Sequence, residues 1–125
     1  MEPRFTAHAA APAVELWPGV YRRTLVWGER TLLAEITLRQ GAVVPDHQHP
    51  HEQIGYVVRG RLEFIVEGRR AVLGAGDGYL IPGNAVHRVV ALEDSVALDI
   101  FAPVREEYTL TPPPWHTGTA GDGQA

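Results

Sequence analysis

The 125-residue sequence contains no cysteine. Disulfide bonds, thiolate metal ligands and a cysteine nucleophile are therefore excluded, and this absence is typical of proteins in a reducing compartment. The sequence also lacks any apolar run that approaches the roughly 20 residues of a membrane-spanning helix. Residues 1–14 lack the continuous apolar region of a signal peptide. We therefore expect a cytoplasmic protein with no membrane segment.

Basic residues are scarce as well. The sequence has 11 lysine and arginine residues against 15 aspartate and glutamate residues, and its formal net charge is −4. The basic residues form no cluster, so the sequence offers no extended positive surface for nucleic acid or anionic lipid. Hydrophobic residues make up 45% of the chain, which is ordinary for a globular protein. We expect no nucleic-acid partner.

A long helical pattern is also missing, because glycine or proline interrupts every long window that has a helical period. The sequence has instead a series of short β-rich segments separated by turn residues. These segments are residues 31–38, 53–58, 61–66, 70–73, 78–81, 87–92 and 95–101. Regular spacing of this kind predicts an all-β sandwich or barrel with little helix.

The chain divides into three parts by composition. Residues 1–13 are rich in alanine and proline and are predicted to form an N-terminal arm. Residues 14–110 alternate apolar runs with turns, as expected for a single β-barrel domain. Residues 111–125 contain three consecutive prolines followed by small polar residues, a composition that predicts an extended, disordered tail.

Histidines and a glutamine are spaced in a pattern that indicates a metal site. His47 and His49 are two residues apart, so in a strand both imidazoles point to the same face. Pro50 should end that strand, which lets Gln53 open the next one beside the two histidines. His87 begins another predicted strand after the turn at residues 82–84. Three imidazoles and one oxygen suit a divalent transition metal such as zinc, nickel, manganese, iron or cobalt.

We therefore predict one such ion at His47, His49, Gln53 and His87. For Gln53 a second interpretation stays open, in which its amide hydrogen-bonds a ligating histidine instead of binding the metal. His51 and Glu52 are predicted to be solvent-facing turn residues, because Pro50 interrupts the strand before them.

Two segments resemble the paired sequence motifs of the cupin superfamily. The first motif is matched by Gly41, His47, His49, position 53 and Gly60, and the second by Gly76, Pro82 and His87. The resemblance covers residues 41–92 and implies that the all-β fold is a cupin-type double-stranded β-helix, or jelly-roll barrel. Asn84 stands where the second motif has glycine, which is tolerable because asparagine adopts positive φ more readily than most residues.

Gln53 stands where the first motif has glutamate, and this departure has a chemical consequence. A glutamate ligand would leave a divalent ion at net +1, whereas glutamine and three neutral histidines leave its charge at +2. The excess charge should favour an anionic ligand, such as a carboxylate. Glutamine also binds metal more weakly than a carboxylate does, so we expect weaker metal retention.

The last predicted strand carries a second group of candidate residues. Alternation puts Leu98 and Ile100 on one face and Asp99 and Phe101 on the other. If Leu98 and Ile100 pack between the sheets, Asp99 faces into the barrel. A carboxylate buried there is costly unless a metal ion or Arg105 compensates it. The alternative is that Asp99 and Arg105 form a structural pair at the rim.

Residues 47–56 and 99–105 are together similar to the pectin-degradation cupins. Those proteins convert the unsaturated uronate released by pectate or alginate lyases into its linear keto form. The resemblance implies a metal-dependent isomerase or lyase in which Asp99 acts as general base, Arg105 binds the substrate carboxylate and Phe101 stacks on the sugar ring. Trp27 precedes a glycine turn and is either a packing residue or a further substrate contact at the barrel mouth.

Two other functions stay open at this point. One is a metal-dependent dioxygenase, which would need iron and open coordination positions. The other is a non-catalytic module that binds or senses a small molecule. In each case the expected partner is a small anionic molecule, and the resemblance to small cupins implies a homodimer that involves the N-terminal arm.

Overall fold

Ten antiparallel β-strands form two sheets within residues 1–118, the part of the chain that the computed structural model describes. The larger sheet has the order β1 (Ala13–Trp17), β2 (Val20–Trp27), β3 (Leu32–Leu38), β10 (Ser95–Ala102), β5 (Glu52–Arg59) and β8 (Gly78–Ile81). The smaller sheet has the order β4 (Val43–His47), β9 (His87–Ala91), β6 (Arg61–Val66) and β7 (Arg69–Gly74). Short 3₁₀ helices lie at His8–Ala10 and Glu106–Tyr108. The predicted all-β fold is confirmed.

The core lies between the two sheets and follows from strand alternation. In β3 every second residue is buried, namely Leu32, Ala34, Ile36 and Leu38. Successive side chains of a strand point to opposite faces, so this strand presents one apolar face to the interior. Residues of the smaller sheet, such as Leu62 and Phe64 of β6, face them from the other side.

Each of the seven predicted β-rich segments corresponds to a strand, but β1, β2 and β4 lie outside those segments. In β2 the buried, inward positions include Arg22 and Thr24, which obscure the apolar alternation that marks the other strands. The inward-facing polar side chains of β2 therefore conceal its strand pattern in the sequence, although β2 pairs with a strand on each side, β1 and β3.

The two ends of the described chain meet on the surface of the barrel. The backbone of Phe5 pairs with that of His116 through hydrogen bonds of 2.8 and 2.9 Å. Trp115 packs edge-on against Trp27, with 4.3 Å between the ring centroids. Both contacts involve residues of the segment 111–118, which belongs to the part of the chain predicted from composition to be an extended, disordered tail. Residues 119–125 of that predicted tail lie outside the described residues.

Within residues 1–118, neither of the short helices has the length or the apolar composition that crossing a membrane would require.

Candidate metal centre and ligand cavity

Three histidines converge at one point between the sheets. His47 ends β4 and His87 begins β9, and the two residues are direct partners in the antiparallel pairing of these strands. Their ring centroids are 4.0 Å apart, and the ring of His49 lies 5.0 Å from that of His87. Each of the three offers a ligand atom, and these atoms all lie within 4.8 Å of one another.

The strand that carries His47 ends earlier than the sequence predicted. It stops at His47, so His49 lies in the loop that follows. This loop is held by the turn at residues 82–84, where the Asn84 backbone N–H donates to the carbonyl of His49 at 2.7 Å. A Cβ atom at Gly83 would lie 2.5 Å from the carbonyl oxygen of Pro50, so the contact needs glycine. Asn84 has a φ of 65°, as its place in the motif predicted.

The tautomer of each histidine is fixed by a backbone carbonyl. The pairs of Nδ1 and carbonyl oxygen are His47 with Pro45 at 2.9 Å, His87 with Ala85 at 2.8 Å and His49 with His51 at 3.1 Å. A carbonyl oxygen only accepts hydrogen bonds, so each Nδ1 carries the hydrogen and each Nε2 keeps a free lone pair. Second hydrogen bonds of this kind orient histidine ligands in metal sites.

The environment keeps these imidazoles neutral. Burial, the charge of Arg105 and the electrostatic influence of the neighbouring histidines together lower the pKa of His49 to about 4, and burial is the largest cause. Burial also lowers the pKa of His47 and the pKa of His87. Neutral imidazole is the form that binds a metal, so all three are ready to act as ligands near neutral pH.

Gln53 is the second residue of β5 and lies beside the histidines. Its side chain is 7% exposed, and its Oε1 lies 3.2 Å from Nε2 of His49. Both atoms are acceptors when Nδ1 of His49 carries the hydrogen, so they repel each other unless a cation lies between them. Two atoms bound about 2.1 Å from one metal, at 90° to 109°, lie about 3.0 to 3.4 Å apart. The arrangement therefore fits a divalent transition metal ion.

Asp99 faces the interior next to this centre. Its side chain is 6% exposed, and its Oδ1 accepts a hydrogen bond from the hydroxyl of Tyr79. Burial raises the pKa of Asp99 to about 6, although hydrogen bonding from Tyr79 and Gln53 and the charge of Arg105 act in the opposite direction. Burial also raises the pKa of Tyr79, so its hydroxyl remains a donor.

The expected packing of Leu98 and Ile100 between the sheets is wrong. Ile100 is 41% exposed, and both residues lie on the outer face of the larger sheet. The alternation itself is as predicted, since Asp99 and Phe101 are both buried on the opposite face. The outward residues of β10 are apolar, which is why sequence alone did not separate the two faces.

Arg105 and Phe101 line the same cavity as the candidate metal centre. The guanidinium of Arg105 lies 5.1 Å from the ring centroid of Phe101 and 4.1 Å from that of Tyr108. Its Nε lies 3.2 Å from a carboxylate oxygen of Glu107. Among the ion pairs formed within residues 1–118, Arg105 is paired with Glu107 and not with Asp99. This pairing disfavours the rim pair of Asp99 and Arg105.

The cavity brings together most of the residues that the sequence singled out. Those that line it are His47, Gln53, His87, Asp99, Phe101 and Arg105, and His49 adjoins them. Trp27 is not brought there, because its ring packs on Trp115 and its carbonyl accepts a hydrogen bond from Arg4. Of the two roles considered for Trp27, packing and substrate contact, the structure shows a packing contact.

Sequence reasoning missed Arg22, Tyr79 and Tyr108. The ring of Tyr108 lies between two guanidiniums, with Arg22 4.5 Å and Arg105 4.1 Å from its centroid. Arg22 is 6% exposed, its Nε has no hydrogen-bond partner, and it forms no ion pair with any residue in the described part of the chain. Two buried guanidiniums thus lie on either side of Tyr108, which lines the cavity. For Tyr79 the sequence did contain an indication. It lies two residues before the apolar Ile81, and residues two apart in a strand point to the same face.

Comparison with known proteins adds a family assignment. The family model described as the cupin domain matches residues 34–101, which include both candidate motifs. The pectin degradation protein KdgF of Dickeya dadantii (strain 3937) is 34% identical over 107 residues, which cover 84% of this chain and 97% of that protein.

Solved structures show the same similarity. The structure of KdgF from Halomonas sp. has a TM-score of 0.77 and 34% identity, and the match covers 82% of this chain and 96% of that one. An RmlC-like cupin from Shewanella frigidimarina NCIMB 400 has a TM-score of 0.79 and 29% identity, with 83% and 94% of the two chains covered.

Proposed function

The chain belongs to the cupin family, and on that basis we propose that it is a metal-dependent enzyme acting on a small anionic molecule of the uronate class. The reaction we propose is conversion of the unsaturated uronate released by pectate or alginate lyases into its linear keto form. The observation that carries the proposal is the presence of three convergent histidines, a buried acid and a buried guanidinium around one cavity. The similarity to the pectin degradation protein KdgF supports the same substrate class.

We assign Nε2 of His47, His49 and His87 and Oε1 of Gln53 as ligands of one divalent ion. Zinc, nickel, manganese, iron and cobalt all suit three imidazoles and an oxygen. When bound, such an ion polarises a carboxylate, hydroxyl or carbonyl oxygen of the substrate. All four protein ligands are neutral, so the ion keeps its full charge and favours an anionic substrate.

Arg105 and Phe101 are proposed to hold the substrate carboxylate and the sugar ring, respectively. A guanidinium can donate two parallel hydrogen bonds to one carboxylate. The side chain of Arg105 is 11% exposed, whereas that of its partner Glu107 is 59% exposed. A carboxylate entering the cavity would therefore meet Arg105 where water screens the charge poorly. The second guanidinium, Arg22, strengthens the attraction for an anion.

Asp99 is proposed to move the protons. Opening the ring of an unsaturated uronate removes the proton of the C1 hydroxyl and breaks the bond between C1 and the ring oxygen. A proton is then added at C4 as the enol at C5 becomes a ketone. One proton leaves and one is added, so the reaction is an isomerisation that one carboxyl group can serve. Burial raises the pKa of Asp99 to about 6, close to the range in which an acid–base group works best at neutral pH.

The test is turnover of the unsaturated uronate produced by a pectate lyase, followed by loss of the ultraviolet absorbance of its C4=C5 bond. We expect the metal-loaded protein to accelerate this loss above the rate without protein. Asp99→Asn should lower the rate by about 100-fold or more while the metal content stays the same. Asp46→Asn, an identical change at an exposed position, should leave the rate unchanged.

Each alternative function has its own outcome in this assay. Oxygen uptake that matches substrate loss, in iron-loaded protein, would contradict isomerisation and indicate a dioxygenase. Tight uronate binding without turnover would indicate a binding module. Full turnover by Asp99→Asn would contradict the assignment of proton transfer to this residue.

We also propose that the chain forms a homodimer. Ile100, Ile54 and Leu80 are register partners on the neighbouring strands β10, β5 and β8, and they are 41%, 52% and 55% exposed on the outer face of the larger sheet. Leu33 continues this aliphatic row on β3. The same row on a second copy carries no charge that would repel it, so two copies related by a twofold axis can bury their rows against each other.

A further inference from the structure

Tyr79 and Asp99 lie on strands that do not pair with each other. Tyr79 is on β8 and Asp99 is on β10, and β5 separates the two strands in the larger sheet. Gly55 of β5 is the register partner of both residues. For the tyrosine hydroxyl to reach the carboxylate, the ring has to pass over the backbone of the strand between them.

Gly55 makes that passage possible. A Cβ atom at this position would lie 2.1 to 2.3 Å from three atoms of Tyr79, among them the hydroxyl oxygen. Any other residue at position 55 would therefore displace the tyrosine. A glycine inside a strand is unfavourable by itself, and a close approach of another group is one recognised reason for it. Here the approaching group is the phenol ring that spans β5.

The opposite sheet holds the ring in this position. Phe64 of β6 packs against Tyr79 with 4.4 Å between ring centroids. The ring thus lies between the backbone of Gly55 and a phenyl group, and its hydroxyl is directed at Oδ1 of Asp99. Hydrogen bonding from Gln53 also reaches the carboxyl group of Asp99. The orientation of this carboxyl group is therefore set from two sides.

We propose that Tyr79 is a positioning residue that orients the carboxyl group of Asp99 for proton transfer, and that Gly55 is required for this contact. The inference rests on the proposed role of Asp99 in uronate isomerisation. Tyr79 holds Oδ1 of this carboxyl group and so fixes the direction in which the group faces the cavity. Removal of the hydroxyl frees the carboxyl group to rotate away from the productive geometry, and a displacement of about 1 Å can lower a rate by about 100-fold.

Tyr79→Phe tests the proposal, because it removes the hydroxyl and keeps the ring between Gly55 and Phe64. We expect kcat to fall by about 10- to 100-fold, with KM within twofold of wild type and an unchanged metal content. Tyr56→Phe is the matched control, since Tyr56 lies on β5 but faces outward and is 49% exposed. A kcat of Tyr79→Phe within twofold of wild type would overturn the proposal.

A crystal structure of Tyr79→Phe provides a measurement that does not depend on activity. We expect the side chain of Asp99 to leave its wild-type rotamer or to occupy two rotamers, whereas in Tyr56→Phe it should not change. An unchanged, fully occupied Asp99 rotamer in Tyr79→Phe would overturn the proposal. If the wild-type protein does not convert the uronate, the proposed function fails, and the rotamer of Asp99 alone then decides whether Tyr79 positions it.

Discussion

Nε2 of His49 and Oε1 of Gln53 lie 3.2 Å apart in a buried site, and with the imidazole hydrogen on Nδ1 neither atom has a hydrogen to donate. Nδ1 of His49 donates to a backbone carbonyl. The side chain of Gln53 hydrogen-bonds Asp99, and since a carboxylate accepts, the amide nitrogen of Gln53 is the donor. These two hydrogen bonds orient the side chains of His49 and Gln53 so that Nε2 and Oε1 face each other. A cation relieves the repulsion between them.

Metal addition should therefore stabilise the protein. A ligand that binds only the folded state stabilises it by about 2.7 kcal/mol at 100 times its dissociation constant. We expect zinc or nickel to raise the unfolding temperature of chelator-treated protein, as measured by differential scanning calorimetry. His87→Ala should abolish the increase, whereas His8→Ala, at an exposed histidine remote from the centre, should keep it. An equal increase in both variants would contradict metal binding at this centre.

Gln53→Glu should bind metal more tightly and anions more weakly. The new carboxylate adds a negative ligand, which lowers the net charge of the occupied site from +2 to +1. We expect titration calorimetry to show at least about a tenfold gain in zinc affinity and a comparable loss of affinity for galacturonate, or about 1.4 kcal/mol each. Gln48→Glu adds the same charge at an exposed position of the neighbouring loop and is the control. Weaker zinc binding by Gln53→Glu would contradict a ligand role for Gln53.

Asp99→Asn should stabilise the metal-free protein at neutral pH. The folded pKa of Asp99 is raised from 3.8 to about 6 by burial, so the folded state holds its proton more tightly than the unfolded state does. Protonated Asp99 contributes to the stability of the folded state below pH 4, and this contribution is lost as pH rises through 6. At pH 8 the loss in the free energy of unfolding is about 3 kcal/mol. The variant should therefore unfold at a higher temperature than wild type at pH 8.

The pH dependence separates this effect from general stabilisation. The advantage of Asp99→Asn should decrease as pH falls from 8 and should nearly vanish by about pH 3, below both pKa values, because Asp99 is then largely protonated in both states. Asp46→Asn, the same substitution at an exposed position, is the control. Thermal unfolding at several pH values, with a chelator present, measures the difference. An advantage that is the same at every pH would contradict the raised pKa of Asp99.

Gly83→Ala should weaken both the fold and the metal centre. The new Cβ atom would meet the carbonyl oxygen of Pro50 at 2.5 Å, so the loop that carries His49 must move. We expect a loss of about 1 to 3 kcal/mol in the free energy of unfolding together with a lower zinc affinity. Gly28→Ala, where the nearest atom would be 3.8 Å away, is the control. Unchanged zinc affinity in Gly83→Ala would contradict the role of this contact in placing His49.

Ile54→Lys should convert the proposed dimer into a monomer. The substitution puts a charge at the centre of the aliphatic row on the outer face of the larger sheet. We expect analytical ultracentrifugation to give a dimer for wild type and a monomer for Ile54→Lys. Val14→Lys, on the edge strand β1, tests pairing through the N-terminal strands instead. A monomeric Val14→Lys with a dimeric Ile54→Lys, or a monomeric wild type, would contradict the proposed interface.

The convergence of the three candidate histidine ligands was predictable largely from local sequence features. The spacing of His47 and His49 and the turn before His87 mark the candidate ligands in the sequence, and Gln53 follows within one loop. The pairing of β4 with β9, which makes His47 and His87 direct partners, was not predicted and is seen only in the structure.

The contacts that sequence reasoning missed depend on strand order. Tyr79 reaches Asp99 only because β5 lies between β8 and β10 and carries glycine at the crossing point. Trp27 packs on Trp115, which lies far along the chain, and so does not reach the cavity. Neither relationship follows from periodicity, because a period shows which face a side chain takes but not which strand lies beside it.

The candidate ligands come from both layers of the barrel, with His47 and His87 on the smaller sheet and Gln53 on the larger one. An ion bound to all of them would act as a cross-link between the layers. Fluctuations that part the two layers would then require release of the ion, so amide hydrogens of β4, β5 and β9 should exchange with solvent in one cooperative step. The ion would thus set how often the barrel opens as well as what it binds.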